Sequence, residues 1–132
     1  MLRYMLDTNI CIYVIKNRPP SLRDRFNRLS SQLSISSITL AELIYGAEKS
    51  MHPHENLSII EHFAAQLEVL PFAERAAAHY GQIRAELERH GKPSGTCDMM
   101  IGGHARSQGL ILVTNDPGEF ESMTGLRLEN WS

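Results

Sequence analysis

The sequence predicts an α/β fold with a mostly parallel central sheet. Three observations carry that prediction. Short apolar runs at Leu2–Leu6, Leu33–Ile38 and Leu110–Thr114 have the length of buried strands. Amphipathic stretches with helical spacing stand between them. The two kinds alternate along the chain, the order in which crossover helices join parallel strands. At 132 residues the chain is long enough for one core and too short for two, so one domain spanning residues 1–132 is expected.

Leu2–Leu6 is followed by Asp7-Thr8-Asn9, the pattern of a strand running into a helix start, and helix is predicted from Asn9 to Lys16. Pro19 and Pro20 break the chain. A second helix restarts at Ser21 with Leu22, Phe26 and Leu29 on one side. Leu33, Ile35 and Ile38, with serines between them, read as the second strand. From Thr39 the periodicity is helical, His52-Pro53-His54 lies in a turn, and Ile59, Ile60, Phe63 and Leu67 mark another amphipathic helix. Leu67–Phe72 is a third strand. The longest helix runs from Ala73 to His90 and is stopped by Gly91 and Pro93. After a loop through Cys97, helix resumes from Asp98 to Gln108 despite Gly102 and Gly103. Each glycine costs about 1 kcal/mol against alanine in a helix interior, so the pair points to close packing against a neighbour. Leu110–Thr114 is the clearest buried strand, and Leu126–Trp131 reads as an edge strand.

With 42% hydrophobic and 21% charged residues, the chain has a globular composition. A formal charge of -2 excludes binding of nucleic acid by bulk positive charge. Any such contact needs a local patch, and Lys16, Arg18, Arg23, Arg25 and Arg28 form the densest basic stretch. Cys11 and Cys97 form no CxxC unit, so neither a zinc knuckle nor a disulfide framework is expected, and a reducing cytoplasm fits. Arg3 and Asp7 interrupt what would be a signal peptide's apolar region, and no run approaches the ~20 apolar residues of a membrane span.

Four acids, Asp7, Glu42, Asp98 and Asp116, fall at or near helix starts. Each has a plain explanation taken singly: Asp is a favoured N-cap, Thr39 to Glu42 matches a capping box, and acids in a first turn favour the helix dipole. Together they mean more, because the carboxyl ends of parallel strands share one edge, where ligands bind. Carboxylates gathered there repel one another and call for a cation. An oxygen-only set without Cys or a clear His partner suits Mg2+ or Mn2+. Such ions lower the pKa of a water and offset phosphate charge, which points to phosphoryl transfer or hydrolysis.

Other candidates are weaker. The six histidines contain no HExxH pattern, His52 and His54 belong to a solvated turn, and His104 stands six residues after Asp98, on a different helix face. No His and Asn constellation supports Cys11 or Cys97 as a nucleophile, so both are expected to pack. The few aromatics form no stacking platform for bases, and RNA would be read by shape and backbone.

The stretches "YMLDTNICIY", "SSITLAELIYGAEKS", "DMMIGGHARSQGL" and "LVTNDPGEFESMTGLRLENW" resemble the PIN-domain ribonuclease toxins of the VapC type. The resemblance runs from Tyr4 to Trp131 with the acids in the family's order and spacing. It implies a three-layer α/β/α sandwich with Asp7, Glu42 and Asp98 at the main acidic positions. Asp116, in "TND", fills the fourth position ahead of Glu119, which matches an acid in close relatives. It further implies a metal-dependent endoribonuclease, Mg2+ or Mn2+ as cofactor, a VapB-type antitoxin and a homodimer. Enteric members of the family cut initiator tRNA in its anticodon loop and so stop translation. Thr8, Asn9, Thr114 and Asn115 beside the acids, with Lys16 and Arg23 from the basic stretch, are the candidate substrate contacts. The chain departs from the family at Ser94, where an apolar residue is usual, and at Cys97, where an aromatic or Asn often stands. A haloacid dehalogenase-like phosphatase is a rival reading, but it needs a second Asp two positions after Asp7, where this chain has Asn9. A non-catalytic binding module is the other rival, with the acids serving only as caps.

Overall fold

Alternation within three residues decides the layers of the molecule. In β1 (Tyr4–Leu6) all three side chains are buried, as in a strand covered on both faces. Tyr4 and Leu6 join one apolar cluster, and Met5 joins the other. The computed structural model describes residues 1–131. It contains, in order, β1, α1 (Thr8–Ile15), α2 (Pro20–Leu29), β2 (Leu33–Ser36), α3 (Ser37–Glu48), α4 (Pro53–Ala64), β3 (Glu68–Leu70), α5 (Glu74–Arg89), α6 (Thr96–Gln108), β4 (Ile111–Val113) and β5 (Leu128–Glu129). The strands form one sheet in the order β3-β2-β1-β4-β5. Every neighbouring pair is parallel, with Tyr4 opposite Leu33 on one side and Ile111 on the other.

One face of this sheet is covered by α1 to α4, through Ile10, Val14, Phe26, Leu43, Ile60 and Phe63. The other is covered by α5 and α6, through Ile83, Leu87, Met99, Ile101 and Ala105. This is the expected three-layer α/β/α sandwich, and β5 is the expected edge strand. Among the described residues, no helix is long and apolar enough to cross a membrane.

Several boundaries differ from the sequence reading. Pro20 is the first residue of α2 rather than part of the break, since the missing N–H of a first-turn proline has no helical partner to lose. Pro53 likewise opens α4, which places His54 inside that helix. The second strand ends at Ser36, and α3 starts at Ser37 instead of Thr39. Ser36 Oγ accepts the Ile38 amide at 3.0 Å, and Ile38 packs against the α5/α6 cluster. The Thr39–Glu42 capping box therefore does not form: Thr39 is buried within α3, and Glu42 lies in its second turn. At α6 the N-cap is Gly95, so Asp98 is the third helical residue and not the first.

The glycine pair does mark close packing. A Cβ on Gly103 would meet the Tyr80 backbone nitrogen at 2.8 Å and its Cα at 3.0 Å, so α5 and α6 touch backbone to backbone. On Gly102 it would meet the flexible Met123 side chain instead, at Sδ. Backbone cannot give way without parting the helices. Gly103→Ala is therefore expected to lower stability in urea by at least ~1 kcal/mol, despite a helix-propensity gain of similar size. Gly102→Ala should cost less, and equal effects of the two in urea denaturation would contradict this packing.

Candidate active site

β2 and β3 lie to one side of β1, and β4 and β5 to the other. Strand order reverses at β1, so a crevice opens at the carboxyl ends of β1 and β4. Asp7 directly follows β1 and is 3% exposed. Its Oδ1 accepts the Ile10 amide at 2.8 Å, capping α1, and its own amide donates to the Val113 carbonyl at 3.0 Å. Burial pushes its pKa up. Hydrogen bonds from the Thr114 side chain and the Ile10 amide pull it down, and the charges of Asp116 and Glu42 add to the rise. Capping is thus part of what Asp7 does, in a place where its charge is opposed.

The other acids converge from separate elements. Half-buried Glu42 reaches across from α3 to accept the Thr8 hydroxyl at 2.5 Å, and that hydroxyl also lies 3.4 Å from Thr39 Oγ1. Asp98 is pushed up to about 6, first by burial, then by the charges of Glu119 and Glu42, a hydrogen bond to Glu119 and the charge of Asp7. Gly95 passes so close that a Cβ there would stand 3.3 Å from Asp98 Oδ2. After β4, Thr114 Oγ1 accepts the Asp116 amide at 2.9 Å, and a 3-10 turn over Pro117–Glu119 carries Glu119. Both fourth-position candidates therefore join the group, Asp116 against Asp7 and Glu119 against Asp98. Asn115 lies between them in the chain, and its Oδ1 is buried without a hydrogen-bond partner among the described residues.

The other predicted residues are not all brought in. Asn9 is exposed on the first turn of α1. Lys16 is the C-cap of α1, eight residues and about 12 Å of helix from Thr8; it is exposed beside a groove that Glu42 also lines. Arg23 is directed elsewhere: it lies over the Phe26 ring at 5.3 Å and donates to Gln66 at 3.4 Å. Arg25 pairs with Glu129 at 3.3 Å and covers Trp131.

Sequence reasoning missed three neighbours of the acids. Cys97 was expected to pack, but it is half-exposed at the site, with its thiol pushed up by burial, by the Glu42 charge, by a hydrogen bond to Glu42 and by the Asp98 charge. Position 97 directly precedes Asp98, and that adjacency was the available signal. Cys11 does pack, fully buried, its thiol held well above the usual range by burial and Asp7. Ser94 Oγ donates to the Glu119 carbonyl at 3.1 Å and ties the glycine loop to the acid-bearing turn. Thr39 lies about one turn before Glu42, as the i, i+3 spacing could have shown, and its hydroxyl faces Thr8.

Neither of the two ion pairs among the described residues, Arg25–Glu129 and Arg84–Glu88, includes any of the five acids. Among those residues, no three His, Cys, Asp or Glu side chains close into a ready metal cage. Yet Asp7 and Asp98 both register their neighbours' charges. The two observations describe one arrangement, an open ring of acids that repel one another. All of its donors are hard oxygens, the set that fits Mg2+ or Mn2+.

A PIN domain family model matches residues 4–126. The chain is 59% identical over 132 residues, 100% of both chains, to the tRNA(fMet)-specific endonuclease VapC of Shigella flexneri. Among solved structures, it matches the DNA-bound VapBC of Salmonella typhimurium with a TM-score of 0.96 and 57% identity, covering 100% of both chains. VapBC2 of Rickettsia felis, bound to a DNA fragment from its promoter, matches with a TM-score of 0.93 and 40% identity over 99% of this chain and 100% of the other.

The position of Asp98 sets a pH dependence of stability. Its carboxyl titrates at about 6 when folded, against an ordinary value of 3.8. Below the lower value it is protonated in both states. Between the two, the unfolded chain releases a proton that the folded chain keeps, so stability is lost as pH rises through this window. In EDTA, the Tm of wild type relative to Asp98→Asn should therefore fall between about pH 4 and about pH 6. A difference that stays flat across that range would contradict the crowding of Asp98.

Proposed function

The chain belongs to the PIN-domain family and to its VapC branch, and on that premise we propose that it is an endoribonuclease toxin that cleaves initiator tRNA in the anticodon loop and so inhibits translation. The observation that carries the chemistry is the convergence of Asp7, Glu42, Asp98, Asp116 and Glu119 on one crevice without a basic partner. A relative named for its specificity toward tRNA(fMet) supports the substrate. The neighbouring VapBC structures support a VapB-type antitoxin as partner. A groove between α1, α3 and α4, lined by Ile12, Leu43, Ile59 and Ile60 and reaching Glu42, offers that antitoxin an apolar seat beside the acids. A homodimer in the cytoplasm completes the proposal, and the free thiols of Cys11 and Cys97 suit a reducing compartment.

In this reading Asp7 and Asp98, with Glu42, Asp116 and Glu119 around them, hold Mg2+ or Mn2+. Bound there, the cation supplies Lewis acidity that lowers the pKa of a water and offsets charge on the phosphodiester. The side chains supply the geometry. The Ile10 amide holds Asp7 Oδ1, the Thr114 side chain also bonds the Asp7 carboxylate, and Thr8 fixes Glu42 Oε1. Below about pH 6 the Asp98 carboxyl beside Glu119 holds a proton in most molecules, and it must leave before those oxygens can bind a cation. Asn9, exposed on the first turn of α1, is available to the RNA backbone, whereas the Asn115 amide oxygen is buried. The water oxygen forms a new bond to phosphorus, the bond to one ribose oxygen breaks, and that oxygen leaves with a proton. The caps-only rival is weakened because neither Glu42 nor Asp98 is an N-cap, whereas Asp7 alone caps its helix.

Purified chain incubated with initiator tRNA and Mg2+ should give discrete new ends in the anticodon loop. EDTA should abolish them, Mn2+ should restore them, and Asp7→Ala or Asp98→Asn should slow cleavage at least ~100-fold without lowering Tm by more than a few degrees. Intact tRNA with wild type and Mg2+, or full activity in EDTA, would overturn the proposal.

A further inference from the structure

His104 is fully buried on α6, and its Nδ1 lies 2.8 Å from Ser36 Oγ. That oxygen already accepts the Ile38 amide that caps α3. The Ser36 hydroxyl keeps its hydrogen and a second lone pair, so it can donate to Nδ1 or accept from it, and either imidazole tautomer makes the bond. Nε2 has no hydrogen-bond partner among the described residues. The contacts close on themselves: the His104 ring meets the Phe72 ring edge-on at 5.6 Å, and the Phe72 amide donates to Ser37 Oγ at 3.0 Å. As mere filling, an imidazole with one ring nitrogen unpaired is a poor choice, since a buried unpartnered polar group costs roughly 1–3 kcal/mol. What it adds is a directional bond across 68 residues of sequence.

That bond ties α6, which carries Asp98, to the N-cap of α3, which carries Glu42. Ser36 stands six residues before Glu42, and His104 stands six residues after Asp98. At 1.5 Å per residue each arm is about 9 Å long. Asp98 senses the charge of Glu42, so α3 and α6 approach at two points, the acids at one end and the His104–Ser36 bond at the other. A tilt of about 6° over such an arm moves its acid by about 1 Å, a displacement that costs on the order of 100-fold in a positioned reaction.

We propose that His104 is a positioning residue that, through Ser36, sets the spacing between Glu42 on α3 and Asp98 on α6. The inference rests on the ribonuclease reading above. Two substitutions separate positioning from packing. His104→Leu keeps the volume and loses the polar atom, whereas His104→Asn keeps a polar atom at the δ position and loses volume. Positioning predicts that H104L cleaves initiator tRNA ~10- to 100-fold more slowly although its Tm is at or above that of wild type. H104N should stay within ~3-fold of wild type although its Tm is lower. The Kd for Mn2+ alone, read by electron paramagnetic resonance, should rise in H104L and not in H104N. The reverse ordering would assign His104 to packing and overturn the proposal. Should H104N not fold, S36A takes its place: its loss of cleavage should match that of H104L and not deepen in the double variant, and additive losses would overturn the proposal. Imidazole 15N shifts report the bond itself: the Nδ1 shift of wild type should move in S36A, and an Nδ1 shift unchanged by S36A would also overturn the proposal. If wild type fails to cleave tRNA, the ribonuclease reading fails by itself, while the Mn2+ and 15N measurements still decide the role of His104.

Discussion

A carboxylate buried at the end of the central strand is the constraint around which this edge of the molecule is arranged. Asp7 is almost inaccessible, and taking an ionised carboxylate out of water costs several kcal/mol. The Ile10 amide and the Thr114 side chain return something like 1.5–3 kcal/mol each as hydrogen bonds to a charged group. Those bonds do not close the gap, because Asp7 still titrates above its usual value. The fold then adds Asp116 and Glu42, whose charges make that of Asp7 harder to hold, and Glu119, whose charge does the same to Asp98. A protein selected only for stability would place a lysine or arginine here.

The layers explain how this is tolerated. β1 is paired on both sides and covered on both faces, so the end of the strand is fixed by the two largest apolar clusters in the molecule. α6 is pressed onto α5 closely enough that Gly103 has no room for a Cβ. Asp98 thus rides on a helix that cannot easily withdraw from its neighbours. Electrostatic strain at the crevice is carried by apolar packing behind it.

What could be read from the sequence was whatever depended on local pattern. The run Leu2–Leu6 before Asp7 gave a buried strand and a helix start, and the structure kept both with only a shorter strand. The double glycine announced a close helix contact for the right reason. The start of α3 was misread because Ser36, Ser37 and Thr39 are all competent caps there, and Ser36 takes the Ile38 amide while Ile38 packs against the α5/α6 cluster, a contact no local rule contains. Arg23 looked free in the basic stretch, but its partner Gln66 lies 43 residues away. The bonds from Ser94 to Glu119 and from His104 to Ser36 were illegible for the same reason: each joins segments whose nearness exists only after the sheet has formed.

These long-range contacts share one chemical property. Thr8, Thr114, Ser94 and Ser36 orient the acids or their supports with hydroxyls, and His104 is kept neutral because burial lowers its pKa. A guanidinium in any of these places would orient a carboxylate at least as well. It would also bring a full opposite charge within about 4 Å, an attraction of roughly 4 kcal/mol at an effective dielectric of 20. The crevice would then be satisfied on its own and would have little left with which to attract a divalent cation. Neutral donors fix where the oxygens point without cancelling their field. The arginines of the basic stretch are engaged elsewhere, with Arg25 held by Glu129 and Trp131 and Arg23 laid over Phe26. Among the described residues no ion pair neutralises the acids, and their geometry is left to groups that carry no charge.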